Sequence, residues 1–464
     1  MPRKTSQVCV RDPHLEPPPV QAPALLNDIP LLIQLERQVV EEFGERMRVR
    51  LEEKIRELDD SLAGQVFHCN ICGRQMKNRG RKRSSFFSRF GRIVLHPTTF
   101  RCNPCKRNIR PLMDKLGVEL GRISGSLARL MALLGVVVPF ELAAHLVFLF
   151  FGVEVSAMAV WRAVQRLGEA CDKHQEALAA YHADACSTQD EPACAPEVVV
   201  AGVDGCALGM QVRTTRRHRK TADEILPPLP PVEDGHFREV KTGVLLLPSH
   251  RTEPSPGRRA LTLRVLVTCL GNADHVFDLL WSKLIVLGWL GSKTVVVIVG
   301  DGAGWIWNRA SLFPNRCEIL DFWHAIEKAW EFARLRYGED SKTAARWISK
   351  LTADLRAGRV EAVIVRLYTL KARSPEEQDK LDGLIKYYTD NACRMQYDEY
   401  VRLGYGIGSG AVESAHKQVV QARMRQAGMR WSEAGARRLL ALRVLLLNKE
   451  WATLDRLTMK QFAA

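Results

Sequence analysis

Two runs of small and β-branched apolar residues constrain the fold of this chain most, because an Asp-Gly pair follows each run. Residues 198–203 precede Asp204, and residues 295–300 precede Asp301. Short valine-rich runs of this kind are typical of buried strands. The segments around them alternate between strand-like and helix-like patterns, so the second half of the chain is predicted to be an α/β domain. An aspartate at the end of a central strand is held rigidly and can face a bound ligand.

A third acidic residue, Glu413, follows the glycine-rich segment 406–410 and is predicted to lie in the first turn of a helix. Carboxylates bind hard divalent cations, and pairs of such cations catalyse phosphoryl transfer. We therefore predict that Asp204, Asp301 and Glu413 converge and bind catalytic Mg²⁺ or Mn²⁺. One Asp-Gly pair is a weak signal, since most mark turns, but the order strand, strand, helix is more specific.

Positive charge is concentrated in one segment of the chain. The formal net charge is +15, and residues 74–110 contain twelve Lys or Arg and no Asp or Glu. A cluster of this kind favours an acidic polymer as partner, and DNA is the first candidate. A generally basic enzyme would carry its charge more evenly. In this segment we predict DNA contacts by Arg79, Arg81, Lys82 and Arg83.

Two Cys-x-x-Cys pairs flank most of the basic segment. Each pair can provide one edge of a tetrahedral site, and four thiolates leave no open position, so we predict a structural Zn²⁺. The predicted ligands are Cys69, Cys72, Cys102 and Cys105. Residues 92–96 and 98–101 alternate like the strands of a ribbon. Phe86, Phe87 and Phe90 either stack on bases or fill the core of this ribbon, whereas Phe100 is expected in the core.

The stretch from residue 139 to 166 has the pattern of a helix-turn-helix. An apolar helix over 139–151 precedes Gly152, and Ser156 is a suitable N-cap for a second helix. The side chains predicted to face the major groove are Arg162, Gln165 and Arg166. An ordinary helical hairpin is the alternative interpretation.

The remaining observations concern the N-terminal segments, a possible membrane span and the cellular compartment. Residues 1–28 are proline-rich and predicted to be disordered, and 29–62 carry apolar residues at helical spacing. Those helices either form a coiled coil or pack onto a neighbouring domain. The apolar stretch 130–153 contains Glu141 and is broken by Pro139, which argues against a membrane span. With twelve cysteines and no apolar signal segment, the protein is predicted to be cytoplasmic with reduced thiols.

Four stretches resemble a known family. They read GDGAGWIW at 300–307, LDFWHAIE at 320–327, GSGAVESAHK at 408–417 and GMRWSEAGA at 428–436. These stretches are similar to the ISKra-type insertion-sequence transposases of the Mutator-like superfamily. The resemblance covers roughly residues 66–450, and its C-terminal part is the most specific.

The resemblance implies a DDE transposase, in which the three acidic residues above are the metal-binding triad of a ribonuclease-H-like α/β core with an all-helical insertion. Asp321 and His324 are similar to the family's motif of an acid or cysteine, two residues and a histidine, and are expected to support the active site. Lys417 and Arg423 are expected to contact DNA phosphates. Such an enzyme cuts at the ends of its element, joins the 3′-hydroxyl to target DNA, and works on the bacterial nucleoid as a homo-oligomer.

The predicted architecture is multidomain. It comprises a disordered N-terminus (1–28), an amphipathic helical region (29–64), a zinc ribbon with the basic segment (65–112), a helix-turn-helix DNA-binding domain (113–184), the first part of the catalytic core (190–324), a helical insertion (325–400) and the C-terminal helices of the core (401–464). Two other functions stay open: a metal-dependent nuclease or resolvase that does not join strands, and a zinc-ribbon DNA-binding regulator with an inactive core. Clustered acids argue against the regulator, since an inactive core does not need like charges together.

Overall fold

The computed structural model describes residues 30–118, 123–185, 192, 194–211, 237–255 and 258–462. These residues divide into two compact units. The first takes the chain up to Leu127 together with Phe151–Val153, and the second takes Ala128–Phe150 and the chain from Glu154 onward. Three predicted segments lie outside the described residues: the disordered N-terminus (1–28), a basic loop (213–220) and a proline-rich loop (226–234).

The first unit joins a long helix to short antiparallel strands. Its elements are α1 (Leu31–Ala63), β1 (Lys77–Arg81), β2 (Ser84–Ser88), β3 (Gly91–Leu95), β4 (Thr98–Arg101), β5 (Asn108–Ile109) and α2 (Pro111–Leu116). The helix predicted from residue 29 is thus one continuous α1, and β3 and β4 confirm the two predicted ribbon strands. Strands β1, β4 and β5 form one sheet, and β2 pairs with β3. Ile55 and Leu62 of α1 pack against a cluster that includes Phe86 and Ile93.

A five-stranded mixed sheet forms the centre of the second unit. The strands of this unit are β6 (Val198–Gly209), β7 (Phe237–Leu246), β8 (Arg251–Ser255), β9 (Arg258–Leu261), β10 (Val265–Leu270), β11 (Val295–Gly300) and β12 (Arg316–Leu320). The order in the sheet is β10-β7-β6-β11-β12, while β8 and β9 form a separate pair. Strand β7 is antiparallel to both neighbours, and β11 is parallel to both of its own. Both valine-rich runs are therefore confirmed as central strands.

The helices of this unit lie on both faces of the sheet or pack against one another beside it. They are α3 (Gly125–Val137), α4 (Phe140–Phe151), α5 (Ala157–Ala185), α6 (Ala273–Val286), α7 (Gly304–Ala310), α8 (Phe322–Tyr337), α9 (Lys342–Arg356), α10 (Val360–Tyr368), α11 (Pro375–Asn391), α12 (Tyr397–Arg402), α13 (Gly410–His416), a π-helix (Lys417–Gln421), α14 (Ala422–Met424), α15 (Glu433–Leu447) and α16 (Trp451–Phe462). Alternate residues of β6 point to opposite faces. Val203 packs with residues of α6 and α7, whereas Val200 packs with residues of α5, α8, α13 and α15. None of the helices in the described residues combines the length and hydropathy that crossing a bilayer requires.

The predicted helix-turn-helix region contains both helices, but the second is much longer than a recognition helix. Helix α5 spans 29 residues and packs along α15. At Gly168 an added Cβ would lie 2.7 Å from the backbone oxygen of Arg438, so only glycine permits this approach. Gln165 is 7% exposed, and the prediction that it faces a DNA groove is therefore wrong. Arg162 and Arg166 are exposed, and their contacts with DNA stay predictions.

Candidate active site

Asp204 lies on β6 and Asp301 directly follows the neighbouring parallel strand β11, so both lie toward the C-terminal end of this strand pair. The last pair between β6 and β11 is Gly202 with Val299, so the same register leads to Asp204 and Asp301 two residues further on. The prediction that Asp204 ends its strand is wrong, because β6 continues to Gly209 along its antiparallel partner β7. Asp204 instead lies in the part of β6 that still pairs with β7 but no longer pairs with β11. Oδ1 of Asp204 accepts a hydrogen bond from the backbone N–H of Gly205 at 2.6 Å, and Oδ1 of Asp301 accepts one from the backbone N–H of Ala303 at 2.9 Å.

Side chains of the protein lie close to the glycines that follow the two aspartates. Gly302 has a φ of +98°, and an added Cβ would lie 2.8 Å from the ring of Tyr387. The Tyr387 hydroxyl donates to the backbone oxygen of Asp301 at 2.6 Å, which ties α11 to this loop. An added Cβ at Gly205 would overlap the carboxylate of Glu239. The group that approaches each glycine is therefore a side chain of the protein itself.

Glu413 lies in the first turn of α13, and this helix packs directly on β6. An added Cβ at Gly202 would lie 3.5 Å from the Cβ of Val412. One turn after Glu413, the side chain of His416 is 5% exposed, and its Nδ1 lies 3.3 Å from Oδ2 of Asp204. This contact joins α13 to the strand that carries Asp204. No pattern in the sequence indicates this contact between His416 and Asp204.

Asp321 is a fully buried carboxylate that holds the loop before α13. It caps the N-terminus of α8 by accepting from the backbone N–H of Trp323 at 2.6 Å. It also accepts from the backbone N–H of Ser409 at 2.9 Å and from the Ser409 hydroxyl. Burial alone would raise the pKa of Asp321, but hydrogen bonds from His324, Ser409 and Trp323 outweigh it and hold the pKa below its usual value. The glycine-rich loop is thus fixed by an ionised, buried acid.

His324 pairs with Asp321 and faces the same site. Its Nδ1 lies 3.2 Å from Oδ2 of Asp321. The hydrogen bond with Asp321 raises the pKa of His324 to about 9 against the opposing effect of burial, and the charges of Asp321, Asp301 and Glu327 contribute further. His324 is therefore an imidazolium at neutral pH. Ligand atoms of Asp321, His324 and Glu413 lie within 4.8 Å of one another.

The group of Asp321, His324 and Glu413 shares only Glu413 with the predicted metal-binding triad. Among the described residues, Asp204 and Asp301 belong to no group of three potential metal ligands within that distance. The oxygens of Asp321 already accept several hydrogen bonds, and a protonated His324 has no lone pair for a metal. Both residues are thus suited to orient the loop and Glu413. The half-buried Asp204 and Asp301 and the exposed Glu413 offer the carboxylate oxygens that Mg²⁺ prefers.

The four predicted zinc ligands come together in the first unit. The Sγ atoms of Cys69, Cys72, Cys102 and Cys105 lie within 4.8 Å of one another. Both Cys-x-x-Cys turns end in a left-handed residue, with φ of +69° at Gly73 and +52° at Lys106. In each turn the first cysteine N–H donates to the carbonyl five residues on, at 2.9 and 2.8 Å. The two turns therefore present their thiols with matching backbone geometry.

The chemistry of this cluster fits a metal that binds thiolates. Backbone N–H groups of Ile71 and Cys72 lower the pKa of Cys69 to about 6. Contact with Cys72, together with burial, raises the pKa of Cys105 to about 12, because four thiols this close cannot all ionise without a cation. A tetrahedral Zn²⁺ would remove this conflict. The donor set thus fits the predicted structural ion.

The residues predicted to bind DNA fall into two groups. Those on the surface are Arg79, Arg81, Lys82, Arg83, Arg162, Arg166 and Lys417. Part of the charge of Arg81 is already engaged by Asp59 and Asp60. Arg423, which is also predicted to contact DNA phosphates, is instead buried, with 1% of its surface exposed. Of the four phenylalanines near the ribbon, Phe86 and Phe100 are buried, whereas Phe87 is 37% exposed.

Comparison with known proteins adds little to this geometry. No protein-family model and no curated protein matches the chain. Among solved structures, the chain is similar to the Drosophila P element transposase strand transfer complex, with 12% identity and a TM-score of 0.24 over 75% of this chain and 82% of that chain. A TM-score of this size is too low to establish a shared fold.

Proposed function

We propose that this protein is a DDE transposase, which cuts DNA at the ends of its element and joins the 3′-hydroxyl to target DNA. The observation that carries the proposal is the position of Asp204 on β6 and of Asp301 directly after the neighbouring parallel strand β11, with the helix of Glu413 packed on β6. Three carboxylates from strand, strand and helix are what a two-metal site requires.

The topology supports a ribonuclease-H-like core. The first strand, β6, lies at the centre of the sheet, the next two strands follow it as an antiparallel meander, and the last two are parallel to it. Helices α8 to α12 separate β12 from α13 and correspond to the predicted helical insertion.

The carboxylates of Asp204, Asp301 and Glu413 would hold two Mg²⁺ or Mn²⁺ ions. When bound, these ions supply the positive charge that stabilises the attacking and leaving oxygens of phosphoryl transfer. His416 orients Asp204 by its contact with Oδ2, and Tyr387 fixes the backbone of Asp301.

The pair of Asp321 and His324 has a different task from the three metal-binding acids. Asp321 holds the loop that sets the start of α13, and thereby the direction of Glu413. The imidazolium of His324 carries positive charge at the site, where it can donate to a phosphate oxygen of the scissile strand.

The first unit is assigned to DNA binding. Its exposed basic residues provide the sequence-independent attraction to phosphates, and a structural Zn²⁺ at the four cysteines would hold the ribbon together. Joining two element ends requires them to be held together, so we expect a homo-oligomer on DNA.

The test uses the purified full chain, labelled DNA that carries the ends of its element, and a target plasmid. With Mg²⁺ we expect nicked ends and joined products, and with EDTA neither. Nicks without joined products would contradict strand transfer and leave a nuclease. Binding without cleavage under any divalent cation would contradict an active enzyme.

A further inference from the structure

A second concave site lies within the second unit and is lined by none of the acids of the candidate active site. It encloses about 590 Å³ next to α4, the start of α5 and the segment after α14, a size common for small-ligand sites. Three aromatic rings contribute to its wall: Phe140, Trp161 and Trp431. Trp161 is 40% exposed, whereas Trp431 is 7% exposed. Glu141 and Arg430 also line this pocket, which we call the aromatic pocket.

Arg423 lines the aromatic pocket with a guanidinium that is almost fully buried. Its Cζ lies 4.6 Å from the ring centre of Phe140 and 5.4 Å from that of Trp431. Its Nε donates to the backbone oxygen of Gly135 at 2.9 Å, and Nη1 lies 3.8 Å from Sδ of Met429. Nη2 is buried and has no hydrogen-bond partner among the described residues. A buried donor of this kind needs an acceptor, since leaving it unpaired is costly.

A second buried arginine adds positive charge behind the pocket. Arg443 is 6% exposed, and its Nε donates to the carbonyl of Val419 at 2.6 Å. Its two Nη atoms donate to the carbonyls of Val136 and Gln418. Burial lowers the pKa of Arg443 to about 10, and burial with the nearby charge of Arg443 does the same for Arg423, so both are charged at neutral pH.

Within the ranges that the structure describes, the hydrogen bonds of the two guanidinium groups go to backbone carbonyls and to the sulfur of Met429, and none goes to a carboxylate. Backbone carbonyls compensate part of this charge, because Gly135 and Val136 lie at the C-terminal end of α3. Arg423 lines the aromatic pocket, and its leftover donor Nη2 is unpaired and shielded from solvent. The missing partner is therefore expected to combine a planar ring with an oxygen acceptor, preferably anionic.

We propose that the aromatic pocket binds an unpaired nucleotide, an inference that rests on the proposed DNA-processing function. The aromatic wall would stack on the base, and Nη2 of Arg423 would donate to a phosphate or base-carbonyl oxygen. A base within an intact duplex cannot enter, so the nucleotide would come from a single-stranded or everted part of the DNA.

The experiment measures the binding affinity of the protein for three ligands. They are a single-stranded thymidine oligonucleotide of about 16 nucleotides, a duplex of the same length, and free thymidine monophosphate. Stacking on one aromatic residue contributes about 1–3 kcal/mol per base, so Trp161→Ala should weaken single-strand binding about tenfold. Duplex binding should not change. The control is Tyr368→Ala, which removes a 66% exposed ring on α10 away from the pocket.

A second variant tests the donor. Arg423→Lys keeps the charge but removes Nη2, and it should weaken single-strand binding while a thermal melt shows that the protein is folded. Equal affinities for Trp161→Ala and Tyr368→Ala would overturn the inference and leave the proposed function standing. Binding to no DNA form would overturn both. Trp161-dependent binding of free thymidine monophosphate without oligonucleotide binding would support the pocket and identify a free nucleotide as its ligand.

Discussion

The four-cysteine cluster and the carboxylate site are built in opposite ways. In the cluster, two short turns bring their own backbone geometry, including the left-handed residues Gly73 and Lys106. In the carboxylate site, Asp204, Asp301 and Glu413 come from segments far apart in the chain, and other buried groups orient them. A site made from local turns can be predicted from spacing alone. A site made by tertiary contacts shows only its acids in the sequence.

The largest effect is expected from Cys102→Ser, which tests the local assembly of the cluster. Cys102 is fully buried, and structural zinc sites in small domains contribute about 10–16 kcal/mol of binding free energy. We expect bound zinc to fall from one ion per chain to none and the first unit to lose its amide protection. Elemental analysis and hydrogen exchange measure both.

The matched control for this variant is Cys194→Ser, which removes an exposed thiol outside the cluster. It should keep its zinc and its exchange pattern. A Cys102→Ser protein that retains zinc and folds normally would show that the cluster is not a metal site.

A smaller effect is expected from Asp321→Asn, which tests tertiary assembly of the carboxylate site. The change removes the charge that holds Ser409 and His324, and a broken buried network of this kind costs about 3 kcal/mol. Denaturant unfolding of the second unit measures the loss. The exposed Asp379→Asn is the control, and equal stability of the two variants would mean that Asp321 does not hold the loop.

The third prediction concerns His416, whose contact with Asp204 orients a proposed metal ligand. His416→Ala should raise the Mg²⁺ concentration needed for half-maximal cleavage by about 10- to 100-fold, the usual effect of losing such a support. His416→Asn keeps a donor near the position of Nδ1 and should restore part of the affinity. An unchanged Mg²⁺ dependence in His416→Ala would mean that the contact orients nothing.

The smallest effect is a pH dependence of stability that originates at His324. Its folded pKa of about 9 lies above the ordinary value of 6.5, so its pairing stabilises the folded protein fully below pH 6.5. This stabilisation is lost as the pH rises through 9. The difference in melting temperature between the wild-type protein and His324→Gln should therefore be largest near pH 6 and shrink toward pH 10. A constant difference would exclude a raised pKa.

Much of the fold could be predicted because its signals are local. The valine-rich runs predicted β6 and β11, and the alternating pattern predicted β3 and β4. The spacing of the paired cysteines predicted the four-cysteine cluster. The position of Asp204 within its strand could not be predicted, because it depends on how far β7 extends beside β6.

The burial of individual polar residues could not be predicted from the sequence. Arg423 and Gln165 are on helices with exposed basic neighbours, so they looked like surface residues. Both are buried, because α3, α4 and α15 pack around them. The resemblance drew attention to Asp321, but its bond to Ser409 joins residues 88 positions apart and leaves no pattern in the sequence.

The most direct test of the central claim is cleavage of end-bearing DNA by Glu413→Gln, measured beside the exposed control Glu361→Gln. If the three acids form one metal-dependent centre, Glu413→Gln should cut on the order of a thousandfold more slowly than the wild-type protein, because residues that act as a unit fail together. It should bind the DNA ends as well as before, and Glu361→Gln should cut normally. Undiminished cleavage by Glu413→Gln would contradict the assignment of the catalytic acids.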